Sequence, residues 1–280
     1  MKKFALGLAL AYMSCIGVSA FADDSSAPES LSMDTVKHLG DFQAIEFRRY
    51  HTSPGEREHF TTYFETQFPE AMEQLGALVM GSFHERGDPT AFTWLRGFHT
   101  INDRPIANSA FYYGPVWKEY KLRVNAILPD SDNVMLLKPI TPERGVMVLP
   151  AVDPVTEAQG AQGIVVAEIF SVKKGSENAF AQKADTVFAR YRAAGVREAG
   201  VLVTLDVPNN FPQLPIRSDG PFLVWLGVLK DDQALETKFK PLQEKANQAF
   251  IATGLLRSDP EVVVMNPTKR SRLRWFPSWQ

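Results

Sequence analysis

The sequence predicts an α+β fold in which two βαββαβ units, carried on one chain, close their sheets into a single barrel. Three observations carry the prediction. Runs with period-two alternation are interleaved with runs of helical period in the order βαββαβ. That order occurs a second time, with landmark residues in matching places. A unit of this kind covers one sheet face with its helices and leaves the other bare, so two units on one chain can bury each other's bare faces.

The first unit, residues 42–140, opens with FQAIEFRRY (42–50), where Ile45, Phe47 and Arg49 alternate with Glu46, Arg48 and Tyr50. Ser53-Pro54-Gly55-Glu56 follows as turn and helix entry, with Ser53 suited to cap and Pro54 to the first helical position. Phe60, Tyr63, Phe64, Phe68, Met72 and Leu75 then recur three and four residues apart, an amphipathic helix in which Pro69 predicts a kink or break. ALVMGSF and AFTWLRGF read as the next two strands around a turn at His84–Pro89. A second helical stretch runs through Ile106, Ala110, Phe111, Val116, Trp117 and Tyr120, broken at Gly114-Pro115 within FYYGPVW, and VMLLKP is the fourth strand. This is the split-βαβ, ferredoxin-like arrangement.

The second unit, residues 163–268, repeats it: Gly55, Phe60, Gly76, Gly81, Asp88 and Trp94 match Gly175, Phe180, Gly195, Gly200, Asp219 and Trp225. Ser131-Asp132 likewise matches Ser258-Asp259. Its second helix, PLQEKANQAF, reads as plainer than the first unit's, without the Gly-Pro break. The units form an intrachain pseudo-dimeric α/β barrel, joined by a Pro- and Gly-rich linker at 141–162. The second unit also carries an insert, VPNNFPQLPIRSDG (207–220), where the first has a short turn. A rim or lid is one reading of the insert; an ordered surface loop is the other, favoured by ordinary loop lengths.

With 30 basic against 32 acidic residues the net charge is -2, which offers nothing to a nucleic-acid partner. The N-terminal MKKFALGLALAYMSCIGVSAFA has Lys2 and Lys3 before an apolar run and Ala20-Phe21-Ala22 at its end, the pattern of a bacterial signal peptide (1–22) cleaved after Ala22. The run is short and interrupted for a membrane span. A flexible leader at 23–41 follows, and the mature chain is expected to be periplasmic or secreted. Cys15, the sole cysteine, lies in the signal segment, so disulfide and thiol chemistry are excluded from the mature chain.

EFRRYHTSPGER, the helix after it, DPTAFTWLRGF, FYYGPVWKEY and DSDNVMLLKP together span residues 43–140, and in these the sequence resembles the NIPSNAP family of the dimeric α/β-barrel superfamily. The second half resembles it more faintly, keeping the Gly, Trp and Ser-Asp landmarks but losing RRY and GPVW. The resemblance implies a ferredoxin-like fold, often in tandem or dimeric assembly, and no mechanism, because the family has no agreed catalytic residues. The wider superfamily includes cofactor-independent monooxygenases, haem-binding and haem-degrading proteins, and proteins of no known activity. Likeness of fold is a weak warrant for function.

Strand alternation places Glu46, Arg48 and Tyr50 on one side of the first strand, and Trp94, Arg96 and Phe98 share a side of the third. If the aliphatic sides pack on helices, these residues face the barrel interior. With His84 and Tyr113, the residues Arg48, Tyr50, Trp94 and Arg96 form a candidate ligand-binding set for a small anionic or aromatic molecule, since guanidinium presents a planar fork to carboxylates. Across the repeat, Arg48 corresponds to Glu168, Tyr50 to Phe170, His84 to Val203 and Arg96 to Gly227, so the polar set exists only once. Either there is one asymmetric site, or Arg48 pairs with Glu46 or Glu168 as a structural ion pair.

The expected function is an exported binding or interaction module. The alternative is a cofactor-independent monooxygenase or isomerase in the same cavity, with His84 as the candidate base. A third reading has a filled core and a working surface. The histidines form no ligand-spaced pair, so no metal is expected, and haem through His84 or His99 is an open but unsupported alternative to the expectation of no cofactor; the absence of a nucleophile elbow and of a phosphate loop lowers hydrolase and kinase readings. The tail KRSRLRWFPSWQ (269–280) reads either as a membrane-surface contact or as a segment folded back on the barrel through Trp275 and Phe276, and its shortness favours the second. Further homo-oligomerisation is left open.

Overall fold

The computed structural model of the protein describes residues 38–152, 160–276 and 279; the expected signal peptide and all but the last residues of the expected leader lie outside the described residues. A short β1 (His38–Leu39) precedes the first unit, which runs β2 (Ala44–His51), α1 (Arg57–Gln67), α2 (Pro69–Glu73), β3 (Leu78–Glu85), β4 (Ala91–Phe98), α3 (Asp103–Tyr112), α4 (Pro115–Ile127) and β5 (Asp130–Pro139). In the linker, β6 (Val146–Met147) pairs with β1. The second unit runs β7 (Ile164–Ser171), α5 (Glu177–Ala193), β8 (Arg197–Thr204), β9 (Phe222–Leu229), α6 (Asp232–Ala234), α7 (Lys240–Ala252) and β10 (Glu261–Pro267).

Among the described residues, eight strands close into one barrel in the order β10-β3-β4-β2-β5-β8-β9-β7, every pairing antiparallel. Each unit contributes four adjacent strands. The fourth strand of each pairs with the second strand of the other, Leu137 opposite Thr204 and Met265 opposite Glu85, so the two seams are related by a pseudo-two-fold. The fold is the α+β, two-unit barrel that the repeat predicts.

Proline sets the helix boundaries. Pro69 has no amide donor to continue α1, which stops at Gln67 and restarts as α2. The entry differs from expectation: Ser53–Glu56 closes as a separate turn, Glu56 N–H donating to Ser53 O at 3.0 Å, so α1 begins at Arg57 and not at Pro54. The second unit's later helix is not plain either. Ahead of Pro241 the chain makes a π-turn, Leu235–Phe239, before α7 begins. A wider turn is one way for a helix to accept a ring that lacks a donor and crowds the preceding carbonyls.

The barrel interior is solid. Ile45, Phe47, Leu95, Met135 and Leu137 of the first unit meet Val165, Ala167, Ile169, Val224 and Leu226 of the second in one buried cluster. Val146, Val148 and Leu149 from the linker and Leu273, Phe276 and Trp279 from the tail belong to the same cluster. The tail's basic residues meet acids of the first unit, Arg272 pairing with Glu73 at 2.7 Å. This corrects the expected orientation of the polar strand faces: Glu46, Arg48, Tyr50, Trp94, Arg96 and Phe98 face the helices and not the barrel interior. An eight-stranded barrel is just wide enough for its own side chains to fill. Inward aliphatic residues from both units complete it, and charges are left for the outer face, where helices can part.

Candidate functional site

The site begins at the break in FYYGPVW. Helix α3 ends at Tyr112, Gly114 is extended at ψ 172°, and α4 restarts with Pro115 in its first turn. A Cβ at position 114 would lie 2.3 Å from Ala110 O, so the close meeting of the two helices requires glycine. Behind the break, a cavity of about 390 Å³ lies between the helices and the outer face of β2 and β4. Arg48, Tyr50 and Trp94 line it from the sheet, Phe60, Phe64 and Phe68 from α1 and its end, and Phe111, Tyr112 and Trp117 from either side of the break.

The cavity's cover comes from the other unit. Phe211, Gln213, Leu214 and Pro215 of the 207–220 insert complete the lining, and the Phe211 ring stacks over Tyr112 at 6.4 Å between centroids. The insert reaches this place because β8, which it follows, is paired with β5. Leu205 N–H donates to Leu136 O at 3.0 Å and Arg217 N–H to Val134 O at 2.8 Å, running the segment along the first unit. It is a rim, where ordinary loop lengths favoured a surface loop.

At the sheet wall a single carboxylate holds three arginines. Glu46 Oε2 accepts from Arg48 Nη1 and from Arg96 Nε, and Oε1 accepts from Arg104 Nε, each at 2.6 Å. All four side chains are at most 1% exposed. Burial alone would raise the Glu46 pKa, but Arg96, Arg48 and Arg104 together hold it well below the usual carboxylate range. Arg48 Nε donates to Tyr50 Oη at 2.6 Å. Burial pushes the Tyr50 phenol up to about 12 against the pull of Arg48, so it keeps its proton. Arg104 Nη1 donates to Asn209 Oδ1 at 2.9 Å and Asn210 Oδ1 at 3.0 Å, tying the insert to the cluster.

Several polar atoms in and beside this cluster, all but one of them donors, are left over. Arg96 Nη1 and Nη2, Arg104 Nη2, Trp94 Nε1 and both polar atoms of the Asn108 side chain are buried with no hydrogen-bond partner among the described residues. The Arg96 guanidinium stands 5.2 Å from the Trp94 ring centre and 5.9 Å from that of Tyr112, two residues that line the cavity while Arg96 does not. Such orphaned groups are few in native proteins.

Of the residues singled out from sequence, Arg48, Tyr50, Trp94 and Tyr113 line the cavity, with Tyr113 at its mouth, 59% exposed. Arg96 does not line it, though its guanidinium lies against the Trp94 and Tyr112 rings that do. His84 does not line it: its Nε2 is 2.7 Å from Thr61 Oγ1 and its Nδ1 is 3.5 Å from Glu58, at the start of α1. Burial, and then Arg57, lower its pKa. Arg48 pairs with Glu46 and not with Glu168, which instead accepts from Tyr191 Oη at 3.1 Å. Sequence reasoning missed Arg104 and Asn108. Both sit with Ala107 and Phe111 on the buried stripe of α3, and a polar or charged residue on such a stripe is the signal that could have found them.

The second unit fills the equivalent space. Gly227 stands where Arg96 does, and a Cβ there would lie 2.2 Å from Trp225 Cη2, because the indole lies across the glycine. Trp225 stacks on Phe188 and packs on Tyr191 at 5.1 Å, and its Nε1 donates to Glu198 at 3.0 Å. Trp94 has Arg96 in place of that glycine and no partner for its own Nε1.

No protein-family model matches the sequence, and no curated protein matches it. Solved structures do. A candidate monooxygenase from Fusobacterium nucleatum is 11% identical with a TM-score of 0.54, over 84% of this chain and 96% of that one. An anthrone oxidase-like protein is 14% identical with a TM-score of 0.52, over 86% and 99% of the two chains. A NIPSNAP-like domain protein from Burkholderia xenovorans is 20% identical over 36% of this chain and 87% of its own, with a TM-score of 0.33. At identities this low the likeness to the two longer matches is one of fold alone, the pseudo-dimeric α/β barrel that the strand order of this chain forms by itself.

Proposed function

We propose that the protein is an exported binding module that holds one small, largely aromatic molecule in the sheet–helix cavity of its first unit. The observation that carries this reading is the cavity: about 390 Å³, walled by aromatic rings, with Arg48 and Tyr50 on one side. Its volume lies within the range of small-molecule sites, as does its mixture of apolar walls with a few convergent polar groups. Export rests on Lys2-Lys3, the apolar run and Ala20-Phe21-Ala22.

A cofactor-independent monooxygenase or isomerase would use the same space and would need a base within reach of its substrate. His84, the candidate for that role, is not on the wall, and the Tyr50 phenol accepts from Arg48 and stays protonated. Binding is therefore the better supported reading. The test is a titration of the mature protein with 2-naphthalenemethanol, a neutral aromatic probe, followed by tryptophan fluorescence, since Trp94 and Trp117 line the cavity. Saturation at one equivalent is expected, weakened at least tenfold by Val124→Trp, which places a second ring inside. No saturation at millimolar probe overturns the reading.

A further inference from the structure

The Glu46 cluster is short of negative charge. Three guanidiniums share one carboxylate in a place where none of them is more than 1% exposed. Arginine does not lose its proton in proteins, so titration cannot relieve the imbalance. Other arginine clusters of this chain are balanced: Arg144 and Arg192 share Asp185 and Glu198, two cations on two carboxylates. Arg49 has two carboxylates to itself, Glu85 and Glu261, the opposite of a cationic excess. A purely structural cluster would be expected to satisfy its donors in the same way, since an uncompensated buried charge is strongly destabilising.

Two residues with a donor to spare, Arg48 and Tyr50, line the cavity. Arg48 uses Nε for Tyr50 and Nη1 for Glu46, and its Nη2 has no hydrogen bond to the described residues. Tyr50 Oη, having accepted from Arg48, keeps a proton to donate. Both residues line the cavity, as does Trp94, whose Nε1 is buried without a partner among the described residues, and the Arg96 guanidinium stands 5.2 Å from the Trp94 ring centre. The wall thus offers donors and positive charge, with aromatic faces around them. Resting on the cavity reading above, we propose that the molecule held there is an aromatic carboxylate whose carboxylate group sits against Arg48 and Tyr50 and neutralises the positive excess of the Glu46–Arg48–Arg96–Arg104 cluster. Two donors side by side suit the two oxygens of a carboxylate.

The test compares 2-naphthoate with 2-naphthalenemethanol at pH 7, in carboxylate-free buffer, on protein dialysed free of small molecules. The anion is expected to bind at least tenfold more tightly than the alcohol. Arg48→Met is expected to bring that ratio close to one; should it fail to fold, Arg96→Met, which removes charge from beside the Trp94 ring, is expected to lower the ratio at least threefold. Equal affinities in the unsubstituted protein, with the alcohol still saturating, overturn the carboxylate and leave the cavity reading standing. If neither probe binds, both fail. A tenfold preference that survives both substitutions also overturns the assignment to this cluster.

Discussion

Arg96→Met removes one of three cations from a carboxylate that keeps the other two. Unit charges about 4 Å apart at an effective dielectric of about 20 interact by about 4 kcal/mol. Arg96 gains that attraction once, from Glu46 at 2.6 Å, and is repelled by Arg48 and Arg104, which bind the same carboxylate. The two repulsions offset most or all of the attraction. Desolvation then costs several kcal/mol for a buried ion, and here two Nη groups are left without partners. Methionine is unbranched, fills irregular space and makes favourable contacts with rings such as Trp94 and Phe98, beside which the guanidinium now stands. The variant free of ligand is therefore expected to be as stable as the parent or more stable by about 1–4 kcal/mol, the range seen when buried ionic groups are replaced by apolar ones. For a chain of this size each kcal/mol moves Tm by about 2–4 °C. Urea unfolding and thermal melting measure it. A loss of about 3 kcal/mol or more, the usual result of breaking a satisfied buried pair, would refute the argument that Arg96 is surplus to the fold.

Two further expectations concern groups away from the cavity. Burial pushes Glu168 up to about 8 from an ordinary 4.5, with Tyr191 opposing only in part. Its folded pKa lies above the unfolded one, so the stability it allows is fully present below about pH 4.5 and is lost as pH rises toward 8, at about 1.4 kcal/mol per pH unit. Glu168→Gln should abolish this decline and be more stable than the parent by several kcal/mol at pH 9; parallel stability curves for the two proteins would contradict it. His84→Ala should cost about 1 kcal/mol, for its hydrogen bond to Thr61, and leave naphthalenemethanol affinity within twofold. A tenfold loss of affinity would place His84 at the site after all.

The fold was legible because two periodicities and one repeat agree, and each local signal points to the same topology. The site was legible only in part. Alternation says which residues share a side, so Arg48 and Tyr50 group together, as do Trp94 and Arg96. It does not say which side meets helices and which meets the other sheet, and here the aliphatic sides went inward because both units must fill one narrow interior. His84 shares the outer side but lies farther along the strand, toward α1's start, and alternation carries no such distance. Arg104 went unread because helical periodicity was taken from the apolar residues alone. The insert's role depends on which strands meet at the seam, a fact that arises only when β5 and β8 pair.

A symmetric dimer must repeat whatever it has: one hollow implies a second, and a cover that crosses the interface implies a second cover. Joining the units lifts that constraint. Here the second unit lays Trp225 over Gly227 and packs the space, and its 207–220 insert attends the hollow of its neighbour. The proposed binding reading therefore carries an expected stoichiometry of one molecule per chain, where a pair of identical units would take two.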